Sequence, residues 1–167
     1  MVILFVPGYL GALLFLGGGT EILAMAIALL PFLIWVSVAD LKDQTIPDTA
    51  SFCLAGLGVI YGLWAGPLEL PLTVASAIAV VSGLSLIGEI IWRRTEIDAL
   101  GLGDVKLIGA GILVVGSEAA WLMVLLASVG GIVAALFAGR REERGIPFAP
   151  FLAYAIFVTF LMTGPPT

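Results

Sequence analysis

Histidine is absent from this 167-residue chain, and Cys53 is its only cysteine. These absences exclude Ser-His and Cys-His nucleophilic sites, HExxH metalloproteases, histidine-ligated metals, an internal disulfide and a Cys-rich zinc site. Charge is scarce too. Only 11% of residues are charged and 61% are hydrophobic, where a soluble domain is about a quarter charged and roughly half apolar. Such a chain has too little polar surface to cover itself in water, so lipid is the expected outer solvent. The net charge of −5 comes with no basic stretch for nucleic acid and no Gly-rich Walker loop for phosphate.

What the chain does hold is a series of apolar stretches: Val2–Gly18, Ile22–Ala39, Thr49–Ala65, Leu72–Trp92, Val105–Gly116, Ala119–Gly139 and Phe148–Thr163. A helix needs about 20 residues to cross the hydrocarbon core, and roughly 17 suffice. The pattern predicts an all-α, polytopic helical membrane protein with about seven transmembrane helices. The number falls to six if the N-terminal or the short fifth stretch does not cross. The fifth is expected to be half-buried or tilted, beginning inside the polar loop before it. Val2–Gly18 lacks the basic n-region of a signal peptide and reads as a retained helix. With no internal repeat and no low-complexity tail, residues 1–167 read as a single membrane domain.

Lys42, Arg93, Arg94, Lys106, Arg140, Arg141 and Arg144 are all the basic residues, and they follow the second, fourth and sixth stretches. The other connections carry only Glu21, Glu69 and Glu118. Basic residues in short loops stay cytoplasmic, which predicts a cytoplasmic N-terminus, three charged cytoplasmic loops and an outward C-terminus. Gly58, Gly62 and Gly66 form two overlapping GxxxG patterns, expected to serve close helix packing within one subunit. Oligomeric state is open.

Two of the charged loops hold aspartates against the ends of apolar helices. One runs Ala39-Asp40-Leu41-Lys42-Asp43-Gln44-Thr45-Ile46-Pro47-Asp48, the other Glu96-Ile97-Asp98-Ala99-Leu100-Gly101-Leu102-Gly103-Asp104-Val105-Lys106-Leu107. An aspartate that merely ends a span is ordinary, since only charges well inside the bilayer are strongly suspect. Asp104, however, follows two glycines that let another group approach closely. It also opens a helix, where the positive dipole end favours a carboxylate. A Ser-Lys site using Ser37 or Ser51 with Lys42 or Lys106 is the weaker reading, because positive-inside anchoring accounts for both lysines. Glu89 reads as a snorkelling or packing residue, and Arg140 to Arg144 as a solvated loop.

Asp40 with Ile46-Pro47-Asp48, then Gly101-Leu102-Gly103-Asp104-Val105-Lys106-Leu107, then Ile146-Pro147-Phe148-Ala149-Pro150, resembles the type IV prepilin leader peptidases. These are polytopic GxGD aspartic proteases of the bacterial inner membrane, related to archaeal preflagellin peptidases. The three motifs stand in the family's order, from about Asp40 to the C-terminus. The resemblance implies that Asp40 and Asp104 are the catalytic pair. Gly101, Gly103, Lys106, Asp43, Pro47, Asp48, Pro147, Phe148 and Pro150 would then shape the site or meet substrate. Ala149 stands where the family's Pro-Phe-Gly-Pro has glycine.

Cleavage is then expected after a glycine, at the cytoplasmic face, releasing the short basic leader of prepilin or pseudopilin precursors. No metal or organic cofactor is required. Asp43, Asp48, Glu96 and Asp98 would offer the basic leader an acidic surface, screened by salt beyond ~10 Å. An intramembrane protease of the presenilin or signal-peptide-peptidase kind is the nearest rival. A Tyr-Asp pair and a Pro-Ala-Leu motif would mark it, and this chain has Ala39-Asp40 and Pro147-Phe148-Ala149-Pro150 instead. A small proton-coupled transporter would place relay carboxylates nearer the bilayer midplane. Many bacterial relatives also methylate the trimmed pilin with S-adenosylmethionine and carry a four-cysteine zinc segment. One helix ahead of Asp40 and a lone Cys53 lead us to expect a short form without that segment or that activity.

Overall fold

A computed structural model describes residues 2–16, 19–96, 101–138 and 147–164. They form α1 (Val2–Leu16), α2 (Thr20–Asp43), α3 (Asp48–Ala65), α4 (Leu70–Thr95), α5 (Leu102–Val115), α6 (Ala120–Ala138) and α7 (Ala149–Thr163). The chain is an all-α, polytopic helical membrane protein. α2, α3, α4 and α6 are long and apolar enough to cross a bilayer, and α7 is a shorter apolar helix. In lipid every backbone N–H and C=O must find its partner inside the segment, which is why helices dominate.

α5 and α7 form the centre. α5 packs against α3, α4, α6 and α7, and α7 packs against α1, α2, α5 and α6. The side chains that close the core come largely from these contacts: Phe157, Phe160, Leu29, Leu33, Leu54, Leu107 and Ile112 are almost wholly buried. Tyr61 and Tyr9 meet Phe160 and Phe157 edge-on, with centroids 5.4 and 5.0 Å apart. α4 is the opposite case. Only Thr73 and Ala77 are buried on it, while Leu72, Ile78, Leu86, Ile87 and Ile90 face outward. Apolar side chains on the outside are what a lipid solvent rewards.

α5 begins at Leu102, inside the glycine-rich turn, as its short apolar stretch led us to expect. It is also the helix that others approach most closely. A Cβ on Gly109 would collide with Val81 of α4, and one on Gly111 would lie 2.6 Å from the Met123 sulfur of α6. Gly58 of α3 faces the main chain of α5 at Leu113, where a Cβ would stand 2.6 Å from the carbonyl. The GxxxG pattern thus serves packing within the chain, at least at Gly58. Removing side chains lets helix axes approach and adds dispersion contacts, the main source of helix association in lipid.

Because the helices alternate in direction, the end of α2, the start of α3, the end of α4 and the starts of α5 and α7 lie at one end of the bundle. A cavity of about 260 Å³ lined by Glu69, Thr73, Gly116, Ser117, Glu118 and Trp121 opens at the other end.

Candidate active site

Asp40 sits in the last turn of α2, past the apolar run Ile22–Ala39. The helix stops at Asp43, where Gln44 turns left-handed (φ 50°) and donates its N–H to the Asp40 carbonyl at 3.0 Å. The chain then runs through Thr45 and Ile46 to Pro47, which caps α3 with its ring-fixed φ of −63°. Pro47 suits a helix start because the N–H it lacks would have no intrahelical partner there. This turn brings Ile46 against Gly103, where a Cβ would stand 3.0 Å from the Cβ of Ile46. Asp48, in the first turn of α3, receives the Lys106 ammonium on both carboxylate oxygens at 2.7 and 2.9 Å. Two contacts therefore join the Ile-Pro-Asp turn to the first turn of α5.

Asp104 is the third residue of α5, after the cap Gly101. Its Oδ2 lies 3.2 Å from where a Cβ of Gly101 would be. Gly101 has φ −60° and ψ 123°, a conformation open to any residue. The two glycines of Gly101-Leu102-Gly103 are thus needed for space. One leaves room for the Asp104 carboxyl, the other admits Ile46.

The carboxyls of Asp40 and Asp104 are near enough that one's charge acts on the other. Asp104 is pushed up to about 6, first by burial and then by the negative charge of Asp40. Asp40 is only 6% exposed. Its Oδ2 accepts the N–H of Ala149, the first residue of α7, at 2.9 Å. Phe148 caps α7 and Pro150 follows in its first turn, so the Pro147–Pro150 segment reaches the site through its main chain. That N–H is the site group that sequence reasoning missed. Its only trace in the sequence is a helix start marked by Pro150, where main-chain N–H groups have no intrahelical acceptor.

The other named residues separate. Asp43 is exposed at the end of α2. Lys106 gives its ammonium to Asp48, and Glu89 pairs with Arg93 at 2.6 Å. The Ser37 hydroxyl donates to the Leu33 carbonyl at 2.7 Å, which weakens the Ser-Lys reading further. Asp98, the loop with Arg140, Arg141 and Arg144, and Ile146 lie outside the described residues. Among the described residues no three His, Cys, Asp or Glu side chains converge as a metal would need. Two neighbouring carboxyls, with Asp104 held above its usual range, are an arrangement able to do general acid–base chemistry.

Residues 27–136, which include both carboxyls, match the model of the type IV leader peptidase family. The chain is 35% identical over 150 residues to the prepilin leader peptidase/N-methyltransferase of Burkholderia pseudomallei strain 1026b, covering 86% of this chain and 47% of that protein. The proteins of the same name from Pectobacterium carotovorum and Escherichia coli K12 are 32% and 31% identical, over 83% and 73% of this chain and 51% and 56% of theirs. The chain therefore spans about half the length of these curated relatives. No solved structure matches it.

Proposed function

The chain belongs to the type IV leader peptidase family, and on that premise we propose that it is a membrane aspartic endopeptidase acting on prepilin-like precursors. What supports this reading is that Asp40 and Asp104 lie at one end of the bundle, with the Asp104 carboxyl raised by burial and by the charge of Asp40. Two carboxyls so placed hold one proton between them. The ionised member takes a proton from water as general base. The protonated member polarises the scissile carbonyl, and the leaving amine is protonated as the tetrahedral intermediate collapses.

The proposal includes orientation. Lys42, Arg93, Arg94 and Lys106 belong to the same end of the bundle as the dyad, and positive charge in short loops favours the cytoplasmic side. The active site would face the cytoplasm from the inner membrane. A precursor would present its short basic leader there, with its hydrophobic helix still in lipid. Exposed Asp43 and Glu96 would attract such a leader. Asp48 contributes less because Lys106 already occupies it. The relatives' names include N-methyl transfer as well, and the dyad bears on proteolysis alone.

Co-expression with candidate prepilins from the same genome tests the reading. Leader removal should appear as a gel shift, and Asp40→Asn and Asp104→Asn should each abolish it while the protein still inserts. Asp43→Asn should be far milder. Full leader removal by purified Asp104→Asn protein would sink the aspartic mechanism.

A further inference from the structure

The two carboxyls of the dyad are not equivalent. Among the described residues Asp40 alone has a main-chain donor, the Ala149 N–H at 2.9 Å. Asp104 is half-buried, and among the described residues no hydrogen-bond donor reaches its carboxyl. Ala149 is fully buried, so its N–H has no water to turn to. It is one of the orphan donors of a helix start, and it stands at the positive end of the α7 dipole. A buried carboxylate is costly unless hydrogen-bonded, whereas a neutral carboxyl is far less so. Asp104 stands at the positive end of the α5 dipole in its turn, so it is the direct N–H that separates the two carboxyls, and one shared negative charge settles on the one that receives it.

Deepening the peptidase reading, on which it rests, we propose that Asp40 is the ionised general base, held by the Ala149 N–H at the start of α7, and that Asp104 carries the shared proton as general acid. The Pro147–Pro150 segment is then a positioning element for the base. It acts through Asp40, where the family resemblance had implied only that its side chains shape the site or meet substrate. In the first step water gives a proton to Asp40 and its oxygen bonds to the scissile carbonyl carbon. The carbonyl oxygen takes the proton of Asp104. On collapse the C–N bond breaks and the leaving amine receives the proton from Asp40. One hydroxyl of the intermediate returns its proton to Asp104. Both carboxyls regain their starting states.

The carboxylic C=O stretch in infrared difference spectra of the purified full chain reports which aspartate is protonated. In a pH titration, the band that persists above the ordinary aspartate range should be lost in the Asp104→Asn protein and kept, with a lower midpoint, in Asp40→Asn. Any other pattern overturns the assignment. The role of Ala149 is tested by replacing it with lactic acid, which turns the N–H into an ester oxygen and keeps the methyl group. In the Asp104→Asn background this ester should restore a protonated band, now on Asp40. In the wild-type background kcat should fall about tenfold with KM unchanged, the signature of an interaction that matters to the chemical step. The same ester at Ala155, inside α7, removes a helix hydrogen bond without touching Asp40, so it should lower stability and restore no band. An ester at Ala149 that restores no band, or one at Ala155 that does, overturns the positioning role. Leader cleavage surviving either asparagine substitution would overturn the peptidase reading. A reversed infrared pattern in two inactive variants would overturn the assignment alone.

Discussion

The packing of α3 on α5 offers a test that needs no contact with the site. A Cβ built on Gly58 stands 2.6 Å from the carbonyl carbon and oxygen of Leu113 and 2.8 Å from the nitrogen of Val114, against 3.4 Å for an ordinary contact. All three are backbone atoms, so Gly58→Ala requires the two helices to part by about 0.8 Å. Overpacking of this kind costs about 1–3 kcal/mol. The alanine recovers roughly 0.5–1 kcal/mol of helix propensity, leaving a net loss of up to about 2.5 kcal/mol. For a chain of this size that lowers the melting temperature by up to roughly 10 °C. Gly58 is about 15 Å along α3 from Asp48, and α3 and α5 are stiff over that length. The opening therefore reaches the Asp48–Lys106 pair and Asp104, where a displacement near 1 Å can cost up to about 100-fold in rate. We expect at least a tenfold loss of kcat for leader cleavage. Gly56→Ala is the matched control, since nothing lies within 4 Å of its built Cβ, and it should be neutral or slightly stabilising. Equal melting temperatures and rates for the two variants, by thermal unfolding in detergent and a cleavage assay, would refute the claim that this crossing sets the site.

With Asp104 at about 6, raising the pH removes the proton that the dyad needs, so kcat/KM for leader cleavage should fall as pH rises through that value. Asp40→Asn removes a repelling negative charge, so Asp104 should then titrate below 6 yet stay above the ordinary aspartate value, because burial persists; a carbon NMR titration of labelled aspartate reads both. The Asp48–Lys106 pair is about half exposed and so contributes roughly 0.2–1 kcal/mol. Lys106→Asp should lower kcat a few-fold, and the swap Asp48→Lys with Lys106→Asp should restore it; no recovery together with a raised KM would make the two residues substrate contacts instead. Reporter fusions after Gln44 should read cytoplasm and those after Gly66 the far side, and a cytoplasmic signal at Gly66 would overturn the proposed orientation.

The helices were legible because hydropathy in a membrane chain is close to a direct readout of the solvent each segment meets. Even the anomaly of the fifth stretch was readable, since only a helix shielded by its neighbours can be short and begin within Gly101-Leu102-Gly103. Which helices surround it was not readable. Gly109, Gly111 and Gly58 announce close approaches, but a missing side chain carries no information about what fills its place. Val81, Met123 and the Leu113 backbone become partners only through tertiary packing. The acids behaved similarly. Residues alone offer Asp40, Asp43 and Asp48 within one short stretch, and only the family resemblance favoured the first. The fold gives them three different surroundings: Asp40 buried, Asp43 exposed, Asp48 paired with Lys106.

The deepest gap concerns what the third motif does. A sequence displays side chains, so Pro147-Phe148-Ala149-Pro150 invites a role for prolines or for the phenylalanine ring. The group that meets Asp40 is a main-chain N–H, which every non-proline residue carries and no alphabet marks. Its usefulness comes from position: first in a helix, without an intrahelical acceptor, and buried where water cannot satisfy it. Folding therefore confronts two deficits, an orphan N–H at the start of α7 and a covered carboxyl at the end of α2. Left apart, each would cost about 1–3 kcal/mol or more. Together they satisfy one another across 109 residues of chain. Ala149 sits wholly buried at this point, so the position has little room for a larger side chain. Residue identity there is set by the space around a backbone atom, which is a constraint that only the fold makes visible.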